Sequence, residues 1–144
     1  GAPFFDTYRC ADGKWVAVGA IEPQFYEVLI AELGVGDRLR GDQYDQAQWP
    51  ENKRNIAEAF ARKSRDEWVA HFEGKEACFT PVLSLAEVPA HPHNIARGAF
   101  SRIDGHVHPA PAPRFSHTPS KVQQGSELSR DGLENIDGEW ASRP

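Results

Sequence analysis

The 144-residue chain has no methionine and only two cysteines, Cys10 and Cys78. Two cysteines cannot build a disulfide framework, and neither stands in a metal-ligand spacing. Cys78 lies in an apolar run, so a buried thiol is expected there. A reduced, cytoplasmic setting is the matching expectation. The first residue is glycine, and with methionine absent throughout we expect a piece of a longer protein. No apolar run is long enough to span a bilayer. No signal-peptide pattern opens the chain, and the ending Ser142-Arg143-Pro144 is not a peroxisomal address. Long basic runs are missing too: 16 Lys and Arg face 21 Asp and Glu, for a formal net charge of −5. That balance argues against nucleic acid or an anionic membrane as a main partner. There is no glycine-rich phosphate loop, no HExxH pattern and no internal repeat.

What remains is ordinary globular material, 40% hydrophobic and 26% charged, enough for one domain with a modest core. Its most informative stretch is residues 1–26, GAPFFDTYRCADGKWVAVGAIEPQFY. Phe4, Phe5, Tyr8 and Cys10 belong to an aromatic-rich extended run. Asp12-Gly13 supplies turn chemistry, and the β-rich run from Trp15 to Ile21 follows at once. This predicts a hairpin. Pro23 fits the first turn of a helix, where its missing N–H is not needed. Phe25, Leu29 and Leu33 repeat at helical spacing, and Gly34 is a natural stop. Glu22 is thereby held between a strand end and a helix start. Two readings of it stand side by side: a surface charge that suits the helix dipole, and a reactive carboxylate on a rigid mount.

Residues 37–48, DRLRGDQYDQAQ, read as a polar, turn-rich connector. Trp49 leads into a helix that starts at Pro50-Glu51, runs to about Arg62 and carries Ile56 and Phe60. Ser64-x-x-Glu67 is a capping-box spacing before a helix with Trp68, Val69 and Phe72, which Gly74 ends. Cys78-Phe79-Thr80 is a short strand that Pro81 confines to an edge or a strand end. Ser84-x-x-Glu87 repeats the capping-box spacing before a short helix that Pro89 stops. The order β-β-α-α-α-β-α implies an α+β fold: a small domain with a mostly antiparallel sheet and several short helices, then an extended Pro-rich C-terminal segment. Beyond Gly98, residues 100–103 and 106–108 read as a hairpin turning at Asp104-Gly105. Leu133, Ile136 and Trp140 fall at the spacing of a short amphipathic helix.

His91-Pro92-His93 and His106-Val107-His108 invite a metal reading, but no cysteine cluster or carboxylate pattern accompanies them, and no metal is expected. Lys14, Lys53, Arg54, Arg62, Lys63 and Arg65 are candidates to meet phosphates and equally read as solvated helix faces. None is assigned to a cofactor.

Residues 1–26 resemble the opening of the small domain of the family III CoA transferases, and within that family are most similar to its α-methylacyl-CoA racemase branch. Residues 77–88 (ACFTPVLSLAEV), 89–100 (PAHPHNIARGAF) and 111–116 (PAPRFS) resemble later segments of the same domain, in the same order. The likeness extends to about Pro119. It implies a small α+β domain over residues 1–100, with residues 101–144 returning toward a large domain that would precede Gly1. It implies an interlocked homodimer whose active site lies where one subunit's large domain meets the other's small domain. A large-domain histidine and aspartate would act there with the glutamate of the motif matched by Gly19-Ala20-Ile21-Glu22-Pro23, so that role carries to Glu22. The ligand would be an acyl-CoA thioester, with no cofactor beyond its CoA moiety. Many members have tyrosine where this chain has Phe5, so an apolar ring replaces a phenol. Phe5 and Ile21 become candidates for the apolar wall around the acyl group, against the alternative that both are ordinary core residues. Lacking the histidine and aspartate, the isolated chain is expected to be inactive. CoA transfer between carboxylic acids is the alternative activity, and a dimerising, site-covering module is the non-catalytic one.

Overall fold

Gly13 adopts a left-handed backbone (φ +80°) that only glycine takes readily. It closes a turn in which its N–H donates to the Cys10 carbonyl at 3.0 Å while the Cys10 N–H reaches Lys14 O at 2.8 Å. The hairpin expected at Asp12-Gly13 follows: β1 (Phe5–Arg9) pairs antiparallel with β2 (Trp15–Gly19), Phe5 opposite Gly19 and Arg9 opposite Trp15. The computed structural model describes residues 1–39 and 41–122, and divides into two compact units, Gly1–Ser84 and the chain from Leu85 onward. The helix expected around Leu133, Ile136 and Trp140 lies outside the described residues.

In the first unit β2 is central, flanked by β1 and by β3 (Phe79–Val82), all antiparallel. The Gly19 N–H donates to Cys78 O at 2.9 Å. Every second residue from there, Thr80 and Val82, therefore turns its backbone toward β2. Phe79 and Pro81 turn theirs to the free edge, where proline's missing N–H breaks no ladder bond. Period-two alternation sends Tyr8, Val16 and Val18 inward.

α1 (Pro23–Leu33) begins with Pro23 in its first turn and ends at left-handed Gly34, where the Val35 N–H reaches back to Ile30 O at 3.2 Å. Its buried face is Tyr26, Leu29 and Leu33, with Phe25 only half-buried at its margin. α2 (Trp49–Phe60) buries Asn52, Ile56, Ala59 and Phe60, and ends two residues before the expected Arg62. α3 (Arg65–Phe72) has the expected capping box, with the Ser64 side chain accepting from the Glu67 N–H and the Glu67 carboxylate accepting from the Ser64 N–H. The core is aromatic. Phe60 stacks on Tyr8 at 5.2 Å and meets Trp68 edge-on at 5.3 Å, while Phe72 stacks on Phe79 at 4.4 Å.

Two expectations fail here. Cys78 is not a buried strand residue: it precedes β3 with a left-handed backbone (φ 47°), and its side chain is exposed in step with Thr80 and Val82, while Ala77 is buried and Phe79 half-buried. Pro89 does not stop a helix either. It sits inside a 3-10 turn, Val88–Ala90, because a first helical turn needs no N–H from it. The helix itself comes later, as α4 (Pro92–Ala96).

In the second unit, β4 (Phe100–Ile103) and β5 (His106–Pro109) form the expected hairpin, with Asp104 (φ 49°) and Gly105 (φ 83°) both left-handed as a type I′ turn requires. Arg114 donates to the carbonyls of Arg97 and, at 2.7 Å, Gly98, two acceptors that α4 leaves open at its C-terminal end. Every described side chain from Leu85 to Val122 is exposed or half-buried. The whole is an α+β fold with antiparallel sheets and four α-helices among the described residues. No helix among them is long and apolar enough to cross a membrane.

Candidate functional site

Glu22 stands where the sequence reading put it, in extended backbone (φ −71°, ψ 140°) as the residue before α1. The Ala20 N–H donates to Phe4 O at 2.9 Å, which carries the β1–β2 pairing one step past the strand. The Glu22 carbonyl accepts from the N–H groups of Phe25 and Tyr26 at 3.0 and 3.1 Å, opening the helix. Its carboxylate does not cap the helix, is exposed, and has no hydrogen-bond or ion-pair partner among the described residues. The backbone is thus held on both sides while the acid is left available.

Phe5 and Ile21 are not core residues. They are 61% and 45% exposed. The cause is alternation: Phe4 turns inward and is buried, so Phe5 must turn outward. Phe5 lies opposite Gly19 on the outer face of the sheet, and Ile21 adjoins Glu22. An exposed carboxylate with exposed apolar side chains on and just past the same strand pair suits a ligand with one polar reacting centre and an apolar tail.

The connector at residues 37–48 gives what sequence reasoning missed. The Tyr44 hydroxyl and the Gln43 carboxamide each donate to Ile21 O at 2.7 Å, and the same Gln43 nitrogen lies 3.2 Å from Ala20 O. Trp49 Nε1 donates to Gln43 O at 2.9 Å. Beneath them, Phe4 meets Tyr26, Tyr44 and Trp49 edge-on at 5.6–5.8 Å. A polar loop with one tyrosine and a flanking tryptophan was the only local signal.

Most of the cations weighed as phosphate contacts are engaged elsewhere. Lys53 pairs with Asp6, and Lys14 lies 3.9 Å from Asp66. Lys63 sits over the Trp68 ring at 4.5 Å. Arg65 is buried and donates to Val82 O at 3.1 Å. Of the histidine pairs, His91 precedes α4 and His93 lies within it, while His106 and His108 are exposed on β5. No group of three or more His, Cys, Asp or Glu placed to hold a metal ion occurs among the described residues.

The sequence model of CoA-transferase family III matches residues 1–126. The chain belongs to that family. It is a family of acyl-CoA-processing enzymes. The chain is 49% identical over 121 residues to the α-methylacyl-CoA racemase of Homo sapiens, covering 83% of this chain and 32% of that protein. The racemase of Mus musculus is 47% identical over 122 residues, with the same two shares, 83% and 32%. The chain therefore spans about a third of the length of these curated relatives. Among solved structures, the orthorhombic form of Rv3272 from M. tuberculosis superimposes with a TM-score of 0.68 at 18% identity, over 83% of this chain and 34% of that one. That likeness concerns the fold. Other CoA-transferase family III members stand further off in sequence than the racemases.

Proposed function

We propose that this chain is the small domain of a 2-methylacyl-CoA racemase and that Glu22 is its contribution to the active site. The observation that carries the reading is Glu22 itself: an exposed carboxylate on a fixed backbone, without a partner among the described residues, next to outward-facing Ile21 and just past the strand pair that carries outward-facing Phe5. The identity with the two mammalian racemases supports the choice of branch.

Racemisation removes the proton α to the thioester and returns it to the opposite face through an enolate, which the site must stabilise. One group takes the proton and another gives it. A histidine titrating near neutrality suits one face. A carboxylate alone is too weak a base for the task at neutral pH. In this proposal Glu22 hydrogen-bonds the second ring nitrogen of a histidine from the large domain, fixing its tautomer and stabilising the imidazolium. A large-domain aspartate completes the site, and Phe5 and Ile21 wall the acyl group. The reaction needs neither metal nor cofactor beyond the substrate's CoA. The assembly is an interlocked homodimer in the cytoplasm, and the isolated chain does not turn over substrate. Membership in a transferase family keeps CoA transfer between carboxylic acids as the rival activity.

The test uses the full-length protein and (2R)-2-methylacyl-CoA in D₂O. Epimerisation should proceed with deuterium uptake at the α-carbon, and Glu22→Gln should abolish most of both. No exchange in the wild type discards racemisation and favours the transferase. Exchange that survives Glu22→Gln at the normal rate removes Glu22 from the mechanism.

A further inference from the structure

Ala20 and Ile21 lie between the last ladder pair, Phe5 with Gly19, and the first residue of α1, Pro23. Their carbonyls belong to neither the sheet nor the helix. A carbonyl oxygen has two lone pairs, and both of those on Ile21 are taken by side chains more than twenty positions away in sequence, Gln43 and Tyr44. The Gln43 carboxamide also spans to Ala20 O, so one side chain holds two consecutive peptides. The two donors are themselves fixed. The Trp49 indole holds the Gln43 carbonyl, and the Tyr44 ring packs on Phe4 at 5.6 Å. Tyr44 is 55% exposed, so its ring gains little from burial and its hydroxyl contact stands out as the specific one.

We propose that Gln43 and Tyr44 are positioning residues for Glu22. The peptide they hold is the one that carries the Glu22 nitrogen. Rotating it swings the Glu22 Cα–Cβ bond and with it the carboxylate. The helix fixes the far side of Glu22 and the clamp fixes the near side. Misplacing a catalytic group by about 1 Å costs on the order of 100-fold in rate. The proposal rests on the catalytic reading of Glu22 given above.

The experiment uses the full-length protein with Tyr44→Phe, Gln43→Glu and each of these combined with Glu22→Gln. Tyr44→Phe keeps the ring on Phe4 and loses only the hydroxyl. Gln43→Glu keeps the shape and loses the donor. Rates of α-deuterium exchange give kcat and KM, and thermal melts report folding. Each single variant should lower kcat by about 10- to 100-fold with KM nearly unchanged, and Tyr44→Phe should melt within a few degrees of the wild type. In the Glu22→Gln background neither should slow the residual rate further, because both act through the acid that is gone. Two results overturn the proposal while leaving Glu22 catalytic: normal kcat in both single variants, or a full further loss in the Glu22→Gln background. Normal turnover in Glu22→Gln alone overturns the reading of Glu22, and the positioning role falls with it.

Discussion

The ring of Phe5 lies across its register partner Gly19: a Cβ at position 19 would meet Cδ2 and Cε2 of that ring at 3.8 Å. That is contact without collision. Gly19→Ala should therefore stabilise the chain by about 0.5–1 kcal/mol, the usual gain from replacing a strand glycine, as read from urea unfolding. A loss of stability would show that the outer face at this position does not have the room described. Gly19→Leu has to push the ring aside, and if Phe5 walls the acyl group the full-length protein should show a raised KM.

Phe60 is fully buried and touches Tyr8, Trp68 and Phe79. Phe60→Ala should lower the unfolding free energy by about 3–5 kcal/mol. A change below about 1 kcal/mol would place the core elsewhere.

Ser64 and Glu67 exchange hydrogen bonds at the start of α3. Ser64→Ala removes the side-chain acceptor for the Glu67 N–H and should cost about 1 kcal/mol in chemical denaturation. Ser64→Asp restores an acceptor and should recover most of the loss.

Burial pushes the Asp6 carboxyl upward, but hydrogen bonds from Lys53 and the Thr7 N–H outweigh it and hold the group below its ordinary 3.8. A carboxylate whose pKa is depressed by folding contributes stability above its unfolded value and loses it as pH falls through the folded one. Asp6→Asn should thus reduce stability at neutral pH and flatten the loss below about pH 4. An unchanged acid limb in urea midpoints across pH 2–7 would exclude the Asp6–Lys53 pair as its cause.

The cysteines should differ sharply in reactivity. Cys78 is exposed, whereas burial, aided by the nearby Asp12 charge, pushes the Cys10 thiol up to about 11. Iodoacetamide at mild alkaline pH should label Cys78 in the folded chain and Cys10 only after denaturation. Equal labelling of both, by peptide mass, would contradict the burial of Cys10.

What the sequence made legible was local. The Asp12-Gly13 turn, the Ser64 capping box, Pro23 at a helix start and the Asp104-Gly105 hairpin depend on residues a few positions apart, where sterics and capping leave little choice. The strand-to-helix mount of Glu22 was legible for the same reason, whereas the role proposed for its carboxylate came from the likeness to the family. The clamp on Ile21 did not, because Gln43 and Tyr44 reach it across more than twenty residues of irregular chain with no period to betray them. Exposure of Phe5 was in principle readable from alternation against buried Phe4, but an aromatic beside a strand start reads as core until the facing layer is known. Cys78 misled because an apolar run does not show which of its residues face inward: alternation buries Ala77 and turns Cys78 outward with Thr80 and Val82.

Pro81 has a consequence beyond its own strand. Its backbone faces the open side of β3, so an incoming strand laid along that edge would find an acceptor at residue 81 and no donor to match it. Such a strand would leave one of its own carbonyls unanswered at the centre of a four-residue edge. That edge of the sheet is thereby a poor template for a further chain, and one proline supplies the guard against edge-to-edge pairing on the β3 side.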